Sequence, residues 1–479
     1  MDACWSRRMK VVGGTPLLTL TGVVLGAFSM APAPALAACT TTGVSVICNT
    51  PAALLSPNLL NNTNGLTVTV GSGGTIAAGA LPLLYPAVSL GGTNVTLNNQ
   101  GTISSNLLGL ISVGTTAVRM GSTTASGTVN VQNSGTVTGT GLVSVALLGA
   151  LDGAALDLRS GSGGTITIDN AASGVIGSAA LLNIGVLSDS PTIAAYGGAR
   201  VNASNAGTIT GRVGLGTSAG NTFINRGAIT GSVHMGVNSA NTFTNVVGSS
   251  VSAGSGIGVS ILGPTGTGLN FAAAGVVDGG AGGINTLVLR NAVDGDASAS
   301  GAGTVSAANY INFQNLALNS GTWTLLGGPI ASTNTTLNGG VTIFNTSDTF
   351  GTGLLTANGG TIQAGASGLN LANTVALNGA GLTTNAGNSF TLSGAVWGTG
   401  ALTKSGTHTL TLTGNNTYTG GTVLSGGSLV AGSATALGGG PLNVTGNASL
   451  SSSAGTTLGN AVNLGATLTL PGTQALGLS

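Results

Sequence analysis

Two histidines, His234 and His408, and nine aspartates without a single glutamate make up most of the acid–base equipment of this 479-residue chain. Asp152 and Asp157 with Arg159 form its only dense charged cluster, and Asp294 with Asp296 is the other carboxylate pair. Paired carboxylates are what glycoside cleavage requires. Here each pair stands among Gly and Ala, where solvated turns account for it more simply. Gly216-Thr217-Ser218-Ala219-Gly220 has the spacing that lifts a serine nucleophile onto a strained turn, but such a turn must join a strand to a helix. Twenty residues later the same stretch reads Gly236-Val237-Asn238-Ser239-Ala240, with Asn in place of the serine. His234 and His408 stand too far apart to share a site. No phosphate-cradling or dinucleotide fingerprint is present. The reading is a chain without an active site, with no catalytic residue, cofactor or metal.

The elements that hold these residues are set by a repeat. Asn205-Ala206-Gly207-Thr208-Ile209-Thr210-Gly211 returns as Asn225-Arg226-Gly227-Ala228-Ile229-Thr230-Gly231, and Asn221-Thr222-Phe223 returns as Asn241-Thr242-Phe243 ahead of Asn245. Apolar residues keep the same step: Ile209 with Ile229, Val213 with Val233, Leu215 with Met235, Phe223 with Phe243. A second ladder runs through Asn338-Gly339, Asn358-Gly359 and Asn378-Gly379, beside a column of Leu337, Ala357, Leu377 and Trp397. A fixed period of about 20 residues marks a solenoid. Short Thr-, Val- and Ile-rich runs with Gly and Asn between them suit strands and corners. The predicted fold is therefore all-β, a right-handed parallel β-helix with coils of about 20 residues. Roughly twenty coils would make a rod of about 100 Å at the usual strand spacing, and its asparagines would stack as amide ladders.

Composition agrees. With 86 glycines, 42% hydrophobic, 4% charged and 3% aromatic residues, the chain can bury only a narrow core of small aliphatics. A formal charge of +1 gives no case for nucleic acid as a partner. Between Asn61 and Ile193 the corner motif recurs at Asn99, Asn133 and Asn170 with wider spacing, which fits coils carrying inserted loops, including an apolar run over Leu142 to Leu151. Gly279-Gly280-Ala281-Gly282-Gly283-Ile284-Asn285-Thr286-Leu287 is similar to a calcium-binding nonapeptide, but Ile284 replaces its Asp ligand, so a plain glycine-rich corner is expected before a strand. Asn319 to Leu325 reads as a further strand with Trp323 packed. Thr67-Val68-Thr69, Thr136-Val137-Thr138, Thr165-Ile166-Thr167 and Thr208-Ile209-Thr210 resemble the hydroxyl pairs of ice-binding solenoids, although later copies do not maintain them.

The first 37 residues read as an export signal: Arg7, Arg8 and Lys10, then an apolar stretch from Leu17 to Phe28, then Ala35-Leu36-Ala37 with cleavage between Ala37 and Ala38. Cys39 and Cys48 follow at once, and in an exported chain they are read as a disulfide tying down the first coil. The competing reading, in which Leu36-Ala37-Ala38-Cys39 is a lipoprotein processing box, stays open here. The expected organisation is a signal at 1–37, a cap with the disulfide at 38–60, irregular coils at 61–284, continuing coils with the second ladder at 285–400, a distinct repeat at 401–430 and final coils at 431–479.

That distinct repeat runs from Leu402-Thr403-Lys404-Ser405-Gly406-Thr407-His408 through Gly414-Asn415-Asn416-Thr417-Tyr418-Thr419-Gly420-Gly421-Thr422 to Gly427-Ser428-Leu429. By itself it reads as two Thr-rich strands forming a hairpin or a coil edge. It resembles the passenger-associated transport repeat of bacterial autotransporters, carried by Lys404, Gly406, Gly414, Asn416, Tyr418, Gly420, Gly421 and Thr422. His408 departs from the glycine common in that family and is expected to face solvent. The resemblance covers about thirty residues. It implies a β-helical passenger that reaches the cell surface or extracellular space through periplasm and outer membrane, with an outer-membrane translocator barrel as partner. The 49 residues after Val430 are too few for such a barrel, so a separate or continued translocator is expected. The functional expectation is a non-catalytic surface stalk or adhesin, with a host-surface or carbohydrate ligand and self-association at an unpaired C-terminal edge. The alternatives are a β-helical polysaccharide-active enzyme and the Thr-rich ice- or surface-binding solenoid.

Overall fold

The computed structural model describes residues 39–50, 59–77, 86–105, 116–143, 153–182, 191–252, 259–261, 269–273, 275–292, 300–385, 387–472 and 474–478. The signal segment with Ala37 and Ala38, the aspartates Asp152, Asp294 and Asp296, and most of the run Leu142 to Leu151 lie outside the described residues. Leu36–Ser479 forms one unit by its internal contacts.

Strict alternation of an aliphatic with a short polar residue gives a strand one dry side. In Thr165–Asn170 the residues Ile166, Ile168 and Asn170 are buried while their neighbours face out. One such side is too little to fold alone, so each strand stacks on the equivalent strand of the next coil, and the pairings are parallel. The first face is a fifteen-stranded sheet from Cys39–Thr42 to Val396–Gly398. A second and a third face complete the coil. Downstream they continue as a nine-stranded sheet from Ala302–Ser306 to Val462–Leu464 and a six-stranded sheet from Leu369–Leu371 to Leu468–Thr469. This is a parallel β-helix, and no helix occurs among the described residues.

Register confirms the period. Thr222 pairs with Thr242, Thr335 with Leu355, Leu355 with Val375 and Leu402 with Thr422. Asn205, Asn225 and Asn245 lie in register, as do Phe223 and Phe243, whose rings stack 5.5 Å apart. In these bare coils the second and third faces are one continuous strand, Thr208–Leu215 over Ala228–His234, bent at Gly211 and Gly231. Both glycines hold positive φ, 114° and 145°, which lets the chain turn the corner without a loop. Several longer coils carry their extra residues at this same corner, whereas the coil from Thr286 to Asn315 carries them between Thr286–Arg290 on the first face and Ala302–Ser306 on the second. In one of the former the addition includes an antiparallel pair, Val259–Ile261 with Leu269–Phe271.

One column departs from expectation. Leu337, Ala357 and Leu377 are in register and buried, but Leu377 pairs with Gly398, and Trp397 pairs with Ala376. That coil is one residue longer than its neighbours. A slip of one residue flips the side chain to the other side of the sheet, so Trp397 is 45% exposed.

At the start of the stack Cys39–Thr42 runs antiparallel to Ser45–Cys48, which in turn pairs with Thr67–Val70. A disulfide joins Cys39 to Cys48. The hairpin covers the edge that the first coil would otherwise present. Closing so short a loop contributes about 2.5 kcal/mol by chain entropy. Because coils touch only their neighbours, reduction is expected to release the amides of Leu59–Val70 to hydrogen exchange while leaving those of Thr222–Val246 unchanged.

Candidate functional site

Polar side chains inside the coil form ladders. Asn99, Asn133, Asn170, Asn205 and Asn225 are buried; the Nδ2 of each of the first four donates to the Oδ1 of the next at 2.7 to 2.9 Å, and that of Asn225 donates to the Ser250 carbonyl at 3.2 Å. The file starts where Val70 precedes Asn99 and ends where Leu289 follows Asn245. The glycine two residues after Asn99, Asn133, Asn205 and Asn225 is required by close approach: a Cβ on Gly207 or Gly227 would strike the carbonyl oxygen of Gly174 or Gly207. At another corner the Nδ2 of Asn221, Asn241 and Asn285 caps glycine carbonyls, while the Oδ1 of each accepts a backbone N–H from the preceding coil. Asn338, Asn358 and Asn378 form an exposed ladder, joined at 2.7 and 3.3 Å and extended back to Asn319 at 2.8 Å.

On the outer side of the third face lies a different set. Ser89, Arg119, Asp157, Ala194, Gly214, His234 and Asp278 follow one another in register, one per coil. Asp157 is fully buried. Its Oδ2 accepts from Arg119 Nε at 2.9 Å and from Arg159 Nη2 at 2.5 Å, and its Oδ1 accepts from Arg159 Nε at 2.9 Å. The Arg159 guanidinium lies 5.5 Å from the centre of the Tyr196 ring. Burial, then Asp157, pushes the Tyr196 hydroxyl above its ordinary range. The expectation of a solvated turn for Asp157 and Arg159 is thus overturned. Leu156 and Leu158 point inward, so the alternate residues sit on the flat outer side of a strand. Further along, His234 Nδ1 accepts from the Gly236 N–H at 3.1 Å, and its Nε2 faces Asp278 Oδ2 at 3.7 Å. Burial lowers the His234 pKa, and Asp278 opposes that shift.

The serine and glycine-rich motifs take ordinary structural places. Ser218 Oγ donates to Asn221 Oδ1 at 2.7 Å, in a corner rather than a strand-to-helix turn. Ile284 is exposed beside its glycine-rich corner, and the strand Thr286–Arg290 follows. Among the described residues no three His, Cys, Asp or Glu side chains gather as metal ligands would. Trp323 is buried and donates from Nε1 to the Ser320 carbonyl at 2.9 Å.

The segment from Leu402 is built of coil edges, since all its strands pair in parallel. Lys404 points inward in a file with Thr384 and Leu424 and is fully buried. Its Nζ donates to the carbonyls of Ser405, Gly406 and Gly426 at 2.9, 3.0 and 3.0 Å, which ties one corner to that of the following coil. Burial pulls its pKa down to about 8. Asn416 accepts from Val396 N–H at 2.9 Å and donates to the Ala436 carbonyl at 2.7 Å, spanning three coils. Tyr418 is buried, with its hydroxyl 2.5 Å from Thr422 Oγ1, and Thr422 reaches on to the Leu437 carbonyl. Gly406 and Gly421 take positive φ, while Gly414 and Gly420 lie against the backbone of Gly394 and Gly400. His408 does not face solvent. It is buried with its ring stacked on Phe390 at 5.8 Å, and neither ring nitrogen has a hydrogen-bond partner among the described residues. Burial, and then the Lys404 charge, lowers its pKa to about 4.

This clamp of buried Lys, Asn, Tyr and Thr lies inside a stretch that matches a known repeat family. Residues 402–431 match the family model Passenger-associated-transport-repeat. Neither a curated protein nor a solved structure matches the chain. The match supports the autotransporter passenger repeat, and with it an exported passenger directed to the cell surface or extracellular space in association with a translocator domain.

Proposed function

We propose that the chain is a non-catalytic passenger that stands at the cell surface as a stalk and adhesin. The observation that carries this is the continuity of the parallel stack into the passenger-associated repeat at 402–431, without a break in register from Leu382 through Leu402 and Thr422 to Leu442. A stack of backbone hydrogen bonds resists bending. Its interior asparagines are mostly engaged in ladders and corner caps, which suits a spacer rather than a reaction centre. In intact cells producing the natural gene product, added protease is expected to remove epitopes at Thr322–Leu326 while periplasmic markers survive. Protection of those epitopes until the outer membrane is opened would refute surface exposure.

A second reading rests on the outer side of the first face. Ser45, Thr67, Thr96, Asn130, Thr167, Asn202, Thr222, Thr242, Thr286, Asn315 and Asn334 follow in one unbroken register file. A flat row of hydroxyls and amides about 4.8 Å apart suits recognition of an ordered hydroxylated surface, ice included. Thermal hysteresis by the purified protein, lost in Thr222→Leu/Thr242→Leu, is the expected result if the row binds ice. A freezing profile equal to that of serum albumin retires this reading.

A further inference from the structure

The geometry points to an anion site at Arg119 and Arg159 on the third face, fitted to the carboxylates of an acidic polysaccharide. It rests on the reading of the chain as surface-exposed and names where a ligand would sit. A solenoid wall needs no charge at this register position: Ala194 and Gly214 fill the same file one and two coils beyond Asp157. Burying Asp157 there costs free energy that a small apolar residue would avoid, so the group is retained for what it holds. What it holds is two guanidiniums, one from each of two adjacent coils. Their side chains remain 37% and 30% exposed, and a single carboxylate leaves the cluster with one net positive charge.

Access is shaped on both sides. Arg119 is flanked by Ser89 in its own file, and Arg159 lies opposite Gly121, so the floor next to the guanidiniums is low. On the other side Leu269 and Phe271 pack on Ala194 and against Tyr196, which raises a wall one coil beyond Asp157. Arg119 reaches Asp157 through Nε, with neither Nη otherwise bonded among the described residues. A planar fork presented this way matches a carboxylate. Two arginines in a chain of net charge +1 are too few for the many phosphate contacts of nucleic acid. They suit a polymer that carries one carboxylate per sugar, with hydroxyls for Ser89 to meet.

The test uses the purified full mature chain with polygalacturonate, heparin and dextran as probes, titrated calorimetrically in 50 and 300 mM salt. Polygalacturonate is expected to bind at least about tenfold more tightly than dextran, and more weakly in the higher salt. Arg119→Gln is expected to weaken it at least about tenfold, the loss of one charge-assisted pair, while Arg119→Lys loses less. Asp157 keeps both bonds to Arg159 in these variants, and an unchanged circular dichroism spectrum verifies the fold. Equal binding of polygalacturonate and dextran, or wild-type affinity in a folded R119Q chain, overturns the site. A preference for heparin overturns the carboxylate assignment. Surface display is read separately by protease access in cells, so loss of display with binding intact would strike the proposed function alone.

Discussion

Asn170→Leu is expected to destabilise the coils from Thr128 to Leu215 by about 3 to 5 kcal/mol. Asn170 is fully buried and sits mid-ladder. It accepts from Asn133 Nδ2 at 2.7 Å, donates to Asn205 Oδ1 at 2.8 Å, and reaches the carbonyls of Gly174 and Thr208 at 3.2 and 3.3 Å. Leucine would leave the Asn205 oxygen without a donor in a dry interior and remove one acceptor from Asn133; each such loss costs about 1 to 3 kcal/mol. The tetrahedral Cγ and bulkier methyls of leucine would also crowd Gly174, where Asn170 Oδ1 already fills the space a Cβ would need. Thr167→Val, three residues earlier on the outer side of the same strand, is the control and should stay within about 0.5 kcal/mol. A single global midpoint does not describe a stack of near-independent coils, so the readout is hydrogen exchange resolved by segment. Equal protection of Thr165–Asn170 in the two variants would sink the ladder's energetic role.

The ladder shows what could be read in advance. Asn205, Asn225 and Asn245 were legible because bare coils have constant length, and a constant length turns stacking into sequence period. Asn99, Asn133 and Asn170 belong to the same file, but loops at one corner stretch their spacing to 34, 37 and 35 residues. The same stretching hides the polar row on the first face. Its Thr-x-Thr members were visible only as isolated motifs, and Thr136 and Thr208 of those motifs belong to the second face instead.

Misreadings had local causes. Asp157 and Arg159 looked like a turn because Gly153, Ala154 and Ala155 precede them, yet Leu156-Asp157-Leu158-Arg159 carries the period-two pattern of a strand. Trp397 fell out of its column through one added residue, which no count of period could detect without the register. His408 departs from a family pattern, which says nothing of its burial; the packing of Phe390 from the preceding coil decides that. Lys404 was singled out by resemblance alone; only the folded corner shows three carbonyls converging on its Nζ.

Mild acid is expected to loosen the coils around His408 before the rest of the stack. Above about pH 6.5, the ordinary imidazole value, the ring is neutral in folded and unfolded chains alike. Between about 6.5 and the folded value of about 4, only the unfolded chain takes up the proton, so stability falls as pH falls through that window. A depression of this size corresponds to about 3 kcal/mol, fully lost near pH 4. The source is local: the ring nitrogens have no partner among the described residues, Phe390 stacks against the ring, and Lys404 adds a like charge nearby. His234, whose pKa is also lowered by burial, titrates many coils away and provides an internal comparison. In His408→Phe the aromatic stack is kept and the proton site removed, so the acid-induced rise in exchange at Phe390–Leu392 and Thr409–Leu412 should vanish while that near His234 persists. Acid sensitivity at Thr409–Leu412 that is the same in wild type and His408→Phe would show that another group governs it.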